Sequence, residues 1–191
     1  MNESNLSRRQ FMLSAMAGIG TAAVCGASAA VSKDGGAKTF PSMEAAVKEA
    51  WRLVENEGAC RVLVRGNAIV SVERGRGPGP LLRLFDAEPG LLEGAVMVES
   101  VMGRAAAAVA VKGGVGKVFA RTASEGARDI LSAAGVPLEA KVMVPRIMNR
   151  DLTGVCPVER AAAGLESPAA VIAAARRTLV SLHGGGKGVV A

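Results

Sequence analysis

From residue 42 to residue 144 the chain alternates between helical periodicity and short apolar runs, and glycine and proline mark off each segment. This alternation limits the fold more than any other feature. Ser42 is placed to cap a helix to about residue 57, with Met43, Ala46, Val47, Ala50, Leu53 and Val54 on one face and Gly58 as its stop. Residues 60–65 and 68–73 read as strands joined by Gly66-Asn67, which is hairpin chemistry. Residues 75–80 (Gly-Arg-Gly-Pro-Gly-Pro) form a stiff loop before a short helix over 81–85. The apolar run 94–98 fits a strand buried on both faces. Ser100 then caps an alanine-rich helix that stops at Gly113-Gly114. A strand over 117–122, a helix capped by Ser124 and stopped by Gly135, and a strand over 138–144 follow. Pro157 and Ser167-Pro168 open two further helices, the second running to about residue 182. A hairpin followed by alternating strands and helices predicts an α/β fold, with a five-stranded mixed sheet between helical layers and extra C-terminal helices.

The first thirty residues belong to a different kind of segment. Arg8-Arg9, flanked by Ser7 and Phe11, precede a stretch of fourteen small apolar residues and then Ala27-Ser28-Ala29. Charge, apolar core and small-residue site, in that order, describe a secretory signal, and the arginine pair points to the twin-arginine route. The apolar stretch falls short of the roughly 20 residues needed to span a bilayer, so no stable membrane anchor is expected. Cleavage near Ala29 or Ala30 would leave a linker over 31–41, a domain over 42–182 and a disordered tail over 183–191. The expected partners in export are the twin-arginine translocase and signal peptidase, and the expected location is the periplasm.

Removing residues 1–30 takes Arg8, Arg9 and Glu3 with it, so 23 basic against 17 acidic residues becomes 21 against 16. These charges are scattered. With one Trp, four Phe and no Tyr, the chain lacks the aromatic platforms that stack bases, and nucleic acid is not an expected partner. Cys60 and Cys156 would face an oxidising compartment, where they either pair or stay as thiols.

Three stretches invite a chemical reading. Residues 112–118 (Lys-Gly-Gly-Val-Gly-Lys-Val) look like a phosphate loop, but they follow a helix and open a strand, the reverse of what phosphate binding at a helix N-terminus needs. Gly75 to Pro80 with Arg74 and Arg76 can approach an anion, although its prolines remove donors. Residues 149–159 bring Asn149, Arg150, Asp151, Thr153, Cys156 and Glu159 together. Cys156 stands just before a helix, where a thiolate is favoured, which makes it the candidate nucleophile or redox residue. Alternatively Asp151 and Thr153 bond local backbone N–H groups and Cys156 packs as a small hydrophobe.

These residues carry a resemblance. Residues 43–179 resemble the family catalogued as domain of unknown function 1893. The resemblance rests on the 60–73 hairpin, the Gly-x-Gly-x-x-Pro-Leu-Leu stretch beginning at Gly75, Gly94-Ala95-Val96-Met97-Val98, Gly103-x-Ala105-Ala106-Ala107, and Asn149-Arg150-Asp151-x-Thr153-Gly154-x-Cys156-Pro157. The resemblance implies a cytidine-deaminase-like three-layer α/β/α sandwich. Zinc deaminases place a His or Cys two residues before a catalytic Glu, then Pro-Cys-x-x-Cys. The corresponding places here hold Gly77-Pro78-Gly79-Pro80 and Ser100-Val101-Met102-Gly103-Arg104. No metal or other cofactor is therefore expected, and zinc-dependent deamination is not. Two readings follow. One is a binding module for an anionic or nucleoside-like small molecule, using Arg76, Gly77, Ser100, Arg104, Asn149, Arg150 and Asp151. The other is a thiol-dependent enzyme or redox protein using Cys156.

Overall fold

The computed structural model describes residues 38–184. Arg8 and Arg9, the proposed signal, and residues 185–191 of the expected tail lie outside the described residues. In chain order the elements are β1 (Lys38–Thr39), α1 (Met43–Asn56), β2 (Arg61–Arg65), β3 (Ala68–Glu73), α2 (Gly79–Ala87), β4 (Val96–Met102), α3 (Arg104–Lys112), β5 (Lys117–Ser124), α4 (Glu125–Ala133), β6 (Leu138–Val144), α5 (Pro157–Ala161) and α6 (Pro168–Gly184).

The strands form one sheet in the order β1-β3-β2-β4-β5-β6. β1, β3, β2 and β4 pair antiparallel, whereas β4, β5 and β6 are parallel. The hairpin turns where expected, with Gly66 at φ 57°, a conformation glycine adopts without a steric penalty. Ser42 and Ser124 cap α1 and α4 by accepting the N–H groups of Ala45 and Ala127. Residues 112–118 run from the end of α3 through a turn into β5, not from a strand into a helix.

Helices cover both faces, giving three layers. On one face α1 lays Ala46, Val47, Ala50 and Val54 over Val62, Val64, Val96, Val98 and Phe119. On the other, Leu63, Met97, Val118 and Ala120 meet side chains of the remaining helices. The centre of that layer is α3, whose six residues from Ala105 to Ala110 are all buried. Its alanines allow α4 and α6 to approach closely. Among the described residues no helix is long and apolar enough to cross a membrane.

Three expectations need correction. The sheet has six strands rather than five, because Lys38 and Thr39, expected in the linker, pair with Ile69 and Ala68. Two residues are too few to show a period. The Asn67 side chain fixes this edge by donating to the Phe40 carbonyl at 2.6 Å. Ser100 does not cap a helix. It lies within β4 and donates its N–H to the Cys60 carbonyl at 2.8 Å. The polar pair Glu99-Ser100 reads as the end of a strand, but an ion pair buries Glu99 and the strand continues to Met102. Finally, α6 extends to Gly184, so 183 and 184 belong to a helix and not to the tail.

Candidate functional site

The β2 and β4 strands enter the middle of the sheet with a charge apiece. Arg61 opens β2 and Glu99 lies in β4, and the antiparallel register sets the two directly opposite. Both are buried, at 1% and 3% exposure. Arg61 Nε donates to Glu99 Oε2 at 2.6 Å, and its Nη1 pairs with Glu73 Oε2 of β3. One guanidinium thus serves two carboxylates. Burial works against the charge on Arg61, but Glu99 and Glu73 outweigh it and hold the guanidinium protonated. Burial lifts the Glu99 carboxyl to about 7, against the pull of Arg61, and Glu73 adds to the rise. Neither residue stands out in the sequence unless the two strands are paired. The available signal is a charge at the edge of each apolar run, Arg61 before Val-Leu-Val and Glu99 after Val-Met-Val.

Arg61 and Glu99 border a cavity of about 540 Å³. Its walls come from the loop ahead of α2, the end of β4, the start of α3, residues 147–150 and 156–159, and the last turns of α6. Of the residues expected to bind, Arg76, Gly77, Ser100, Asn149 and Arg150 all border it, and so does Cys156. Arg76 and Arg150 are exposed, while Arg61 and Glu99 are buried. The cavity therefore has basic residues at its mouth and an acid-rich ion cluster at its floor.

Arg104 and Asp151 are placed elsewhere. The Arg104 guanidinium lies against Gly126 of α4, in space that only a missing side chain leaves open. Asp151 is exposed and does not border the cavity. Asn149, not Asp151, organises the loop: its Oδ1 accepts the N–H groups of Thr153 at 3.0 Å and Gly154 at 3.2 Å, and its Nδ2 donates to Thr153 Oγ1 at 3.0 Å. A Met148–Val155 bridge closes the loop, and Leu152 takes φ 55° at its tip.

The N-terminus of α3 reaches the cavity through Gly103, but its anion position is taken. Glu159 Oε2 accepts the Arg104 N–H at 2.8 Å. Glu159 is buried and Gly103 leaves the room it needs: a Cβ at 103 would stand 2.8 Å from that oxygen. Among the described residues Cys60 and Cys156 are free thiols, and both border the same cavity. Burial pushes the Cys60 thiol up, and its Sγ donates to the Glu73 carbonyl at 3.1 Å. Cys156 begins α5 without capping it by its side chain, and its N–H donates to the Ile147 carbonyl at 2.9 Å. Zinc would need three or more converging ligands. Among the described residues no three His, Cys, Asp or Glu side chains converge in that way, so the residues present do not fit a zinc ion.

The fold matches the crystal structure of TM1506, a DUF1893 family protein from Thermotoga maritima, with a TM-score of 0.63 and 19% sequence identity over 79% of this chain and 99% of that one. NE0047, solved in complex with 2,6-diaminopurine, aligns with a TM-score of 0.37 and 13% identity over 82% of this chain and 88% of that one. No curated protein matches the chain. The family model for the domain of unknown function DUF1893 matches residues 49–179, well over half of the chain, and the protein therefore belongs to that family.

Proposed function

We propose that the protein is a binding module for an anionic or nucleoside-like small molecule, exported to the periplasm by the twin-arginine route. The observation that carries the binding reading is the cavity of about 540 Å³ with Arg76 and Arg150 at its mouth. That volume lies within the range of small-molecule sites, which join apolar walls to a few convergent polar groups. Gly77 lets the backbone come close to a ligand, and Ser100 and Asn149 add hydrogen-bonding groups. The N-terminus of α3 contributes no anion site, because Glu159 already occupies it. The arginines at the mouth take that part.

The alternative, a thiol enzyme using Cys156, draws support from the position of that thiol on the cavity wall. Yet no histidine stands among the described residues bordering the cavity to serve as its base. Binding without chemistry is the reading the geometry favours.

A thermal-shift screen of nucleotides, nucleosides and short anionic peptides against the mature protein tests the proposal. Hits are expected to weaken in Arg76→Ala and Arg150→Ala and to persist in Arg104→Ala. A screen without hits would overturn it. Mass measurement of the protein recovered from the periplasm tests the export route: a chain that keeps residues 1–30, or stays in the cytoplasm, would overturn that part.

A further inference from the structure

The floor of the cavity carries a charge imbalance that the mouth does not explain. Among the described residues at the floor Arg61 is the one cation, and it faces Glu99 there and Glu73, which does not itself border the cavity. Glu159 borders the same cavity, its carboxylate turned to a backbone N–H rather than to a cation. Buried charges need partners, since desolvation penalises any charge left uncompensated. Two carboxylates on one guanidinium leave this cluster short of one positive charge. A proton on Glu99 can supply it, since burial lifts that carboxyl to about 7, and so can a ligand.

We infer that the floor of the cavity, at Glu99 and Arg61, receives the cationic or N–H-rich edge of an amidine- or guanidine-like group, while Arg76 and Arg150 hold the ligand's anionic end at the mouth. The inference rests on the binding reading above and narrows its ligand class. A planar N–C–N edge offers two parallel donors, the geometry that a carboxylate accepts bidentately. The Glu99 carboxylate accepts from Arg61 and from the Val101 backbone N–H, and two oxygens provide about four lone-pair sites, so capacity remains. An anionic group at the same depth would meet Glu99 and Glu159 in a poorly solvated space.

Binding should also be linked to protons. Burial lifts Glu99 to about 7, so a cationic group entering beside it displaces a proton near neutral pH. The charged and titratable groups that face Glu99 are Arg61 of β2, Glu73 of β3 and the Cys60 thiol before β2. Glu159 of α5, Arg76 ahead of α2 and Arg150 border the same space. Cys60 stays protonated in this range because burial pushes it up.

The test uses benzamidine as probe, with benzoate and benzamide as shape-matched anion and neutral controls, titrated calorimetrically into the wild-type mature protein. Benzamidine should bind, tightening by about thirtyfold between about pH 5.5 and about pH 8.5 as Glu99 loses its proton. Benzoate and benzamide should bind more weakly at the higher pH, and Glu99→Gln should abolish both the affinity and its pH dependence. Benzoate that competes with benzamidine for the same position, or a benzamidine affinity that does not change with pH, would overturn the inference on wild-type protein alone, whatever the fate of the variant. If benzamidine fails while anions still bind in a manner sensitive to Arg76→Ala and Arg150→Ala, the floor assignment falls and the binding module stands. If neither class binds, both fall.

Discussion

The carboxylate of Glu159 takes the backbone N–H of Arg104 at 2.8 Å, so a residue from α5 caps a helix that begins fifty-five positions earlier in the chain. This contact ties the C-terminal segment to the centre of the domain. Glu159→Ala leaves a helix-terminal donor unpaired in a buried setting and is expected to lower stability by about 1–2 kcal/mol. Gly103→Ala should cost a similar amount, about 1–2 kcal/mol, by pushing the carboxylate off its seat without altering it. Urea denaturation of both variants measures this. If Glu159→Ala unfolds at the wild-type midpoint, the contact contributes nothing.

Arg61 is the pivot of the buried cluster. Removing it leaves Glu99 and Glu73 without a counter-charge, and losing one partner of a buried pair costs about 3–5 kcal/mol. Arg61→Met should therefore be far more damaging than an exposed arginine substitution such as Arg128→Met. Guanidinium denaturation curves of the two variants make the comparison, with equal midpoints as the outcome that contradicts it.

Glu99 should also make stability depend on pH. Its folded value of about 7 lies above the ordinary carboxyl value of 4.5. Between those two values the folded chain holds a proton that the unfolded chain has lost, so this group's contribution is full below about pH 4.5. It is lost as pH rises through about 7. The span corresponds to about 3 kcal/mol at most, from 1.36 kcal/mol per pKa unit. Unfolding free energies measured from pH 5 to pH 8 should fall for the wild type and fall less for Glu99→Gln. Parallel profiles would refute the assignment.

The two thiols should react differently. Cys60 has a pKa raised by burial and a hydrogen bond to the Glu73 carbonyl, both of which protect it. Cys156 stands at the head of α5 on the cavity wall. Iodoacetamide at mildly alkaline pH should label Cys156 first, as read by peptide mass spectrometry, and a cavity ligand should slow that labelling. Faster labelling of Cys60 would contradict the picture.

Leu152 holds a left-handed conformation with 75% of its surface exposed. A non-glycine residue bears about 1–2 kcal/mol there, and nothing in its burial compensates. Leu152→Gly is expected to leave the fold intact and to be neutral or stabilising by about 0.5 kcal/mol once the entropy of glycine is counted. A thermal melt decides; a clear loss of stability would mean that the leucine makes contacts of its own.

Much of this architecture is legible in the chain because it is local. The bounds of β3 and β6, the serine caps at 42 and 124, the glycine turns and the true nature of the 112–118 stretch all depend on neighbours a few residues apart. What escaped depends on distance in sequence. A two-residue strand has no periodicity, so Lys38-Thr39 reads as linker. Glu99 reads as a strand end because its burial depends on Arg61, thirty-eight positions away. Arg104 reads as a ligand contact because nothing local indicates that Gly126 gives its side chain a berth on α4. Five of the seven expected binding residues do border the cavity. Arg76 and Gly77 lie in the loop ahead of α2, Asn149 and Arg150 in the loop ahead of α5, and Ser100 within β4.

The cavity borrows its walls from parts of the chain far apart in sequence, from Cys60 and Arg61 at the head of β2 to Leu179 and Leu182 of α6. No fragment that stops short of α6 can complete it. Occupancy therefore reports completion: a ligand bound here recognises only a chain whose first strands and last helix have already met. Such a ligand acts as a ratchet on folding, stabilising the finished state by mass action while offering nothing to a partly assembled one.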